Sequence, residues 1–228
     1  MEKNRKGLNR ALIYGFGVVI LAIGLTLNTK TGLGASSVVA VPFALSQLMG
    51  VRMSVVLFLF YALLVLLQFL IRGKDRRWRD LLQLPFSFVF SALMDVVERV
   101  LVIELAPLWQ NLLLTLLAVL LMAAGIWLMV CMNVIVNPAD GMTQSMSWRS
   151  KKPLGLMKNL LDLICVCTAM VIDLINGSLW SSVGLGTVIT VILTGRVIAL
   201  LDKRFRERVL RAAGLAAESE AGGVKEHE

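Results

Sequence analysis

LLLTLLAVLLMAAGIWLMVCMNVIV, residues 112–136, runs for twenty-five residues without a charge. A bilayer core about 30 Å thick is crossed by roughly 20 apolar residues of helix, so this stretch spans a membrane on length alone. Two other runs do the same. Ala11–Asn28 is charge-free over 18 residues and Met53–Ile71 over 19. The chain as a whole is 57% hydrophobic, with a mean hydropathy of +0.79, above the roughly 45–50% apolar content of soluble domains. The first run is long, and its far end, Asn28-Thr29-Lys30-Thr31, offers no small-x-small cleavage site, so it reads as a retained span and not a removable signal peptide.

Three further segments have spanning length but carry charge. Leu81–Ile103 is apolar to Met94, then holds Asp95, Glu98 and Arg99. Leu154–Ile175 holds Lys158, Asp162 and Asp173, and Ser182–Leu201 holds Arg196. Polar residues bound each of them. Six spans then follow, and the loops orient them. The N-terminus, the second-to-third loop, the fourth-to-fifth loop with the first turn of the fifth span, and the C-terminus together carry nineteen of the 23 basic residues. Basic loops stay on the cytoplasmic side, so both termini are expected in the cytoplasm. Deleting any one span would put later basic clusters on the wrong side.

The net charge of +8 is therefore a topology signal. Nucleic-acid binding would need a basic stripe on a soluble fold, and no soluble domain is present to carry one. The expected partner is the lipid bilayer, with a small-molecule solute as candidate ligand; the oligomeric state is open. The three cysteines, Cys131, Cys165 and Cys167, all fall in spans. Residues two apart do not share a helix face, so Cys165 and Cys167 are expected to pack as small apolar residues and not to bind metal. The single histidine, His227, is next to the C-terminus. No nucleophile elbow, phosphate loop or zinc spacing occurs, so neither enzyme activity nor a cofactor is expected.

The two halves resemble each other. Ala22-Ile23-Gly24 recurs as Ala123-Ala124-Gly125, and Gly50-Val51-Arg52-Met53 as Gly155-Leu156-Met157-Lys158; apolar spans follow the second pair, ending at Gly73 and Gly177. Each half holds three spans, over 11–104 and 110–205. An odd number per half inverts the second, the architecture of many secondary transporters. The expected layout is thus an all-α integral membrane protein of six transmembrane helices in two inverted three-helix repeats, with a cytoplasmic segment 1–10, one membrane domain 11–205 and a disordered tail 206–228.

Each half also has a long link after its first span. Thr31–Gly50 opens with Gly32-Leu33-Gly34-Ala35-Ser36-Ser37, and Asn137–Pro153 with Asn137-Pro138-Ala139-Asp140-Gly141. Each continues for about a dozen residues, too short to cross, and reads as a re-entrant or an interfacial helix. If re-entrant, the two N-termini converge near the midplane, where their free N–H groups suit a polar or anionic solute. Candidate substrate-binding residues are Gly34, Ser36, Ser37, Asn137, Asp140, Gly141 and Thr143. Asp140 also reads as the N-cap of its helix. An ionisable residue in a span costs at least about 2.5 kcal/mol on insertion scales and usually faces a partner or a cavity, which makes Asp95, Arg99, Lys158, Asp162 and Arg196 candidate intramembrane charges. Asp95 and Arg99, spaced i,i+4, can pair within one span, as can Lys158 and Asp162. Asp162 and Arg196 are estimated at similar depth, roughly 10 Å from the basic side, and are expected to pair. Asp173, close to the opposite end, reads as solvated.

Several of these stretches together resemble the YitT/YczE/YyaS family of bacterial integral membrane proteins: Gly32-Leu33-Gly34-Ala35-Ser36 with Pro42, Leu84-Pro85-Phe86-Ser87-Phe88 up to Asp95, Pro138-Ala139-Asp140-Gly141, Lys152-Pro153-Leu154-Gly155-Leu156-Met157-Lys158 with Asp162, and Gly184-Leu185-Gly186-Thr187 with Gly195. The resemblance covers about Ala11–Phe205 and implies some six spans in a bacterial cytoplasmic membrane, with no assigned activity. Where relatives have Pro or Asp after the first glycine-rich turn, this chain has Ser36-Ser37-Val38. Asn137-Pro138-Ala139 is also similar to the aquaporin signature, which should occur twice and here occurs once. Two function classes remain: a secondary transporter or exporter of a small polar or zwitterionic solute, and a non-transporting membrane assembly or regulatory protein.

Overall fold

The computed structural model describes residues 2–75, 78–103, 107–178 and 181–215. Among these, all regular structure is helical. The eight α-helices are α1 (Glu2–Lys30), α2 (Ser37–Met49), α3 (Met53–Arg72), α4 (Gln83–Val100), α5 (Leu108–Met132), α6 (Pro138–Ser150), α7 (Leu154–Ile175) and α8 (Leu185–Ala212), with two short 3₁₀ turns, Gly73–Asp75 and Trp78–Leu82, before α4. Six of the α-helices, α1, α3, α4, α5, α7 and α8, are long and apolar enough to cross a bilayer. The protein is an all-α multi-pass membrane protein. The expected end of the first half, at residue 104, and the tail over 216–228 lie outside the described residues. Helix α8 runs on to Ala212, so the first part of the segment expected to be disordered, 206–212, is helical. Its turns are held by i,i+4 pairs, Arg206 with Asp202 and Arg211 with Glu207.

Helices α1 and α5 cross closely at their glycines. A Cβ on Gly24 would lie 2.8 Å from the Met122 amide nitrogen and 3.0 Å from the Ala118 carbonyl oxygen; one on Gly125 would lie 2.7 Å from both the Gly17 carbonyl oxygen and the Leu21 amide nitrogen. Small residues let membrane helices bring their backbones together, where packing and not hydrophobicity drives association. A shift of 101 residues carries Gly24 onto Gly125, Gly17 onto Ala118 and Leu21 onto Met122. The contact is therefore reciprocal: what Gly24 touches on α5, Gly125 touches on α1.

The same shift carries Ser36 onto Asn137 and Tyr61 onto Asp162. Ser36 and Asn137 are the N-caps of α2 and α6, and both helices are 13 residues long. The glycine alignment expected from sequence is displaced. Gly50 is the C-cap of α2, at φ 64°, whereas Gly155 lies inside the first turn of α7. The 101-residue shift carries Gly50 onto Lys151, the C-cap of α6, at φ 55°. Lysine takes a left-handed cap that normally favours glycine, which hides the correspondence.

The short helices lie alongside the spans. Ser37 at the start of α2 meets Asp162 on α7, and Gln47 near its end meets Ser181, which also bonds Asp173. Helix α2 thus runs parallel to the second half of α7. At the start of α6, Asn137 lies beside Tyr61 of α3, and about two turns later Ser145 meets Arg72. Tyr61 and Asp162 are each eight residues into their spans, about 12 Å along the axis. Helices α3 and α7 enter from opposite ends, so α2 and α6 both begin deep within the helix bundle and run to opposite ends. The surface-helix alternative does not fit this placement.

Candidate functional site

The polar groups that meet in the middle come from four helices. Ser37 Oγ donates to Asp162 Oδ1 at 2.8 Å, and Lys158 Nζ reaches the same oxygen at 3.0 Å from one turn earlier on α7. The i,i+4 spacing sets the Lys158–Asp162 pair. The Asp162 carboxylate therefore sits at the first residue of α2, where unpaired N–H groups favour negative charge. Across from it, Asp140 is within electrostatic range of both Lys158 and Asp162. Tyr61, 2% exposed, is also in range of Asp140. The cluster thus holds Ser37, Tyr61, Asn137, Asp140, Lys158 and Asp162, with charges of both signs.

The N-cap of α6 is Asn137, whose side chain accepts from the Ala139 amide at 3.0 Å, with Pro138 at the first helical position. Asp140 is not the cap, as expected from sequence, but lies in the first turn. Proline at that first position needs no partner for a missing N–H, and asparagine before it is a strong cap. Asp140 is thereby freed to face Lys158 and Asp162. Ser36 occupies the matching cap of α2 without a side-chain cap bond.

Gly34 has φ +98°, and a Cβ there would collide with the Gly184 backbone and lie 2.6 Å from Thr187 Oγ1. It is a tight packing point between the α1–α2 turn and the start of α8. Around it, the Ala35 amide donates to the Ser182 carbonyl at 2.9 Å, the Gly186 amide to Leu33 at 2.6 Å, and Thr187 Oγ1 to Ala35 at 2.7 Å. Gly141 is likewise packed, with Gln68 Oε1 and Gln83 Nε2 at 2.6 and 2.8 Å from where its Cβ would stand. Thr143 turns its hydroxyl back to Ala139 at 2.9 Å, a bond within its own helix, so its donor is not offered to the centre.

Residues 8–203 match a family model described as a family of unknown function, DUF6198. The chain belongs to that family. No curated protein and no solved structure matches it. The match takes in both half-helices and the whole central cluster.

Two sequence expectations about charge are overturned. Asp162 is not paired with Arg196. Its partners are Lys158 and Ser37, while Arg196 is exposed on α8. Equal depth did not bring them together, because α7 packs on α2 and α6 whereas α8 packs mainly on α5. Asp173 is not solvated. It is 2% exposed and accepts from the Ser182 amide and hydroxyl, both at 2.8 Å, and from Ser181 Oγ at 3.2 Å. The loop before α8 folds over it. Asp95 and Arg99 pair at 2.7 Å as their spacing suggests, and Ser54 Oγ adds a bond to Asp95 at 3.3 Å. They sit on α4, apart from the half-helix starts.

A second polar group was not singled out from sequence. Gln68, Gln83, Arg72 and Ser145 are all at least nine-tenths buried between α3, α4 and α6. Only the spacing of Gln68 and Arg72, four apart in a span, hinted that they share a face. A surface hollow of about 790 Å³ beside α3 and the start of α4 has mostly apolar walls, Ala62, Val65, Leu66, Phe69, Leu70 and Leu84 among them. Tyr61 and Asp162 do not line it.

Proposed function

We propose that this protein is a secondary transporter or exporter of a small polar or zwitterionic solute across the bacterial cytoplasmic membrane, built as two inverted three-span repeats with both termini cytoplasmic. The observation that carries the proposal is the meeting of the α2 and α6 starts at one partly buried cluster of mixed charge. Non-helical backbone at membrane depth is tolerated only inside protein or around water, and broken helices whose ends meet at the midplane are how inverted-repeat transporters make a solute site. The reciprocal α1–α5 contact and the 101-residue register support the repeat. The basic loops support the orientation.

In this mechanism the Lys158 ammonium and the N–H groups of α2 take the negative end of a zwitterion, and Asp140 takes the positive end. Asn137 and Tyr61 hold neutral polar groups. Asp162, bonded to both Ser37 and Lys158, keeps the site closed without solute and exchanges partners when solute enters. The resemblance to YitT/YczE/YyaS proteins is compatible with this role. The alternative, a non-transporting assembly or regulatory protein, is favoured by one feature: Asp162 already has partners.

Thermal unfolding of the detergent-purified protein against a panel of amino acids, betaines and polyols tests the choice. A ligand that binds only the folded state raises its apparent stability, by about 2.7 kcal/mol at a hundredfold excess over Kd. Stabilisation by a zwitterion that is lost in Asp140→Asn supports transport. A flat response across the panel supports the alternative.

A further inference from the structure

Two seams separate the central cluster from the two ends of the bundle, and they are built from different chemistry. Toward the end of α3, Gln68 Nε2 donates to Gln83 Oε1 and to the Pro138 carbonyl, both at 3.1 Å, and Gln83 Nε2 returns a bond to Gln68 Oε1 at 3.3 Å. One turn further, Arg72 Nε donates to Ser145 Oγ at 2.8 Å and lies 3.9 Å from Asp80 Oδ2. Toward the end of α7, the 101-residue shift pairs Gln68 with Ala169, Gly141 with Ala40 and Ser145 with Ala44. Those three alanines are 0–1% exposed.

The comparison separates what closure requires from what this chain adds. The alanine seam closes the same geometry with no polar side chain at these three positions, so the Gln68 amide and the Ser145 hydroxyl are not needed to seat a half-helix; Arg72 corresponds to Asp173, which is bonded to Ser181 and Ser182 beyond the end of α7. A buried polar group is costly unless it is bonded, and these side chains are bonded: Gln68 to the Pro138 carbonyl and Arg72 to Ser145 join α3 to α6, and the Gln68–Gln83 pair joins α3 to α4. When α6 parts from α3, water can replace the two bonds that cross to α6 and reach the Gln68–Gln83 pair behind them, so opening exchanges one set of hydrogen bonds for another. Parting α2 from α7 would bare the Ala40, Ala44 and Ala169 methyl groups to water with no such exchange, and the side-chain bonds of that seam lie at its two ends, Ser37 to Asp162 and Ser181 to Gln47. Gly141 completes the device, since a Cβ there would occupy the space of the paired amides.

We infer that the Gln68–Gln83–Arg72–Ser145 seam is the wettable gate of this protein, through which water and solute reach the central cluster from the end of the bundle that carries Arg72, while the alanine seam stays shut under the same conditions. The inference rests on the reading of the cluster as a solute site, but its test does not need a solute.

Single cysteines would be placed at Ser145 and Gln83 in the first seam and at Ala44 and Ala169 in the second, in a background with Cys131, Cys165 and Cys167 changed to alanine. Labelling by a small, charged, membrane-impermeant thiol reagent would be followed in vesicles of both orientations. Ser145 is 0% exposed, so its modification reports opening. The expected result is that Ser145→Cys and Gln83→Cys react from the Arg72 side at least tenfold faster than Ala44→Cys and Ala169→Cys from either side, and that adding Arg72→Gln accelerates Ser145→Cys further. Size-exclusion profiles matching the parent identify folded variants, and Ser145→Cys, a near-isosteric change, decides if Gln83→Cys fails that check. Equal protection of both seams, or faster reaction at Ala44→Cys, overturns the gate. A solute panel without a hit leaves the labelling result intact, and protection of Ser145→Cys leaves solute binding intact, so the two ideas fail separately.

Discussion

The half-helices α2 and α6 have the same length and occupy corresponding places, yet they are held there by different means. Helix α6 carries its own fastening. Asn137 caps it, Pro138 sets its first turn, and side chains bind it to α3 through Gln68 and Arg72. Helix α2 has a cap residue whose side chain makes no cap bond, and its body is Val, Ala, Pro and Phe. Side chains bond its two ends, Ser37 to Asp162 and Gln47 to Ser181, and backbone bonds between the 33–35 turn and the loop that opens α8 fasten it from outside. The contrast teaches that a half-helix position can be specified locally by capping chemistry or remotely by a loop hundreds of atoms away in the chain. The remote kind depends on glycines that let two backbones meet.

The strongest way to break this contrast is Gly34→Ala. At φ +98° alanine is strained, and its Cβ would strike the Gly184 backbone, which has no flexible end to swing aside. Strain and overpacking together predict a loss of about 3 kcal/mol or more, read as a large drop in melting temperature in detergent. Gly141→Ala should cost much less, because the atoms it meets are the ends of the Gln68 and Gln83 side chains. Similar losses at the two glycines would mean that α2 and α6 are held alike after all.

Asp173→Ala comes next. Asp173 anchors Ser182, and Ser182 in turn receives the Ala35 amide. Removing the carboxylate strands buried donors, at about 1–3 kcal/mol for each that water cannot reach, so a total near 2–3 kcal/mol is expected. Its distinctive sign is that Ser37→Cys should then label faster while Ser145→Cys does not change. Equal changes at both would show that Asp173 supports the whole bundle and not α2 in particular.

Asn137→Ala tests the local kind of fastening. Loss of an N-cap typically costs about 1 kcal/mol, and Ser36→Ala should cost less, since Ser36 makes no side-chain cap bond. The pair is best measured side by side by thermal melting. A larger loss at Ser36 would reverse the contrast.

These differences also mark what was legible in the sequence. The six spans were, because charge-free runs of spanning length and clustered basic loops are local signals. The existence of two short helices was too, from lengths of about a dozen residues behind glycine and proline. The matched pair Gly24 and Gly125 could be read, but Gly50 and Gly155 misled, because Lys151 fills the left-handed cap where glycine would have announced it. The remote fastening of α2 was not legible. Nothing around Asp173 says that Ser181 and Ser182 fold over it, and being near a helix end looks the same whether the end is wet or covered. Nor does the sequence mark Tyr61, because a lone tyrosine in an apolar run carries no spacing signal.

The smallest expected effect concerns charge, and it separates height from direction. Asp162 and Arg196 lie at similar estimated depth, and depth alone suggested a pair. A helix places its residues by height and by angle about its axis, and sequence fixes the first far better than the second when the neighbouring helices are unknown. Here α7 turns Asp162 toward the start of α2, with Lys158 one turn away, whereas Arg196 is exposed on α8, whose main partner is α5. Arg196→Gln should therefore change stability by no more than about 0.5 kcal/mol, the usual range for an exposed substitution. Combined with Asp162→Asn it should be additive, because residues without contact rarely couple. Lys158→Met with Asp162→Asn should instead deviate from additivity, since each single change leaves the other partner's charge at the α2 start uncompensated. Melting temperatures of the three single and two double variants decide the matter. Coupling between Asp162 and Arg196 with none between Asp162 and Lys158 would mean that α7 faces α8 in the bilayer, and that the α2 start is not where the Asp162 carboxylate resides.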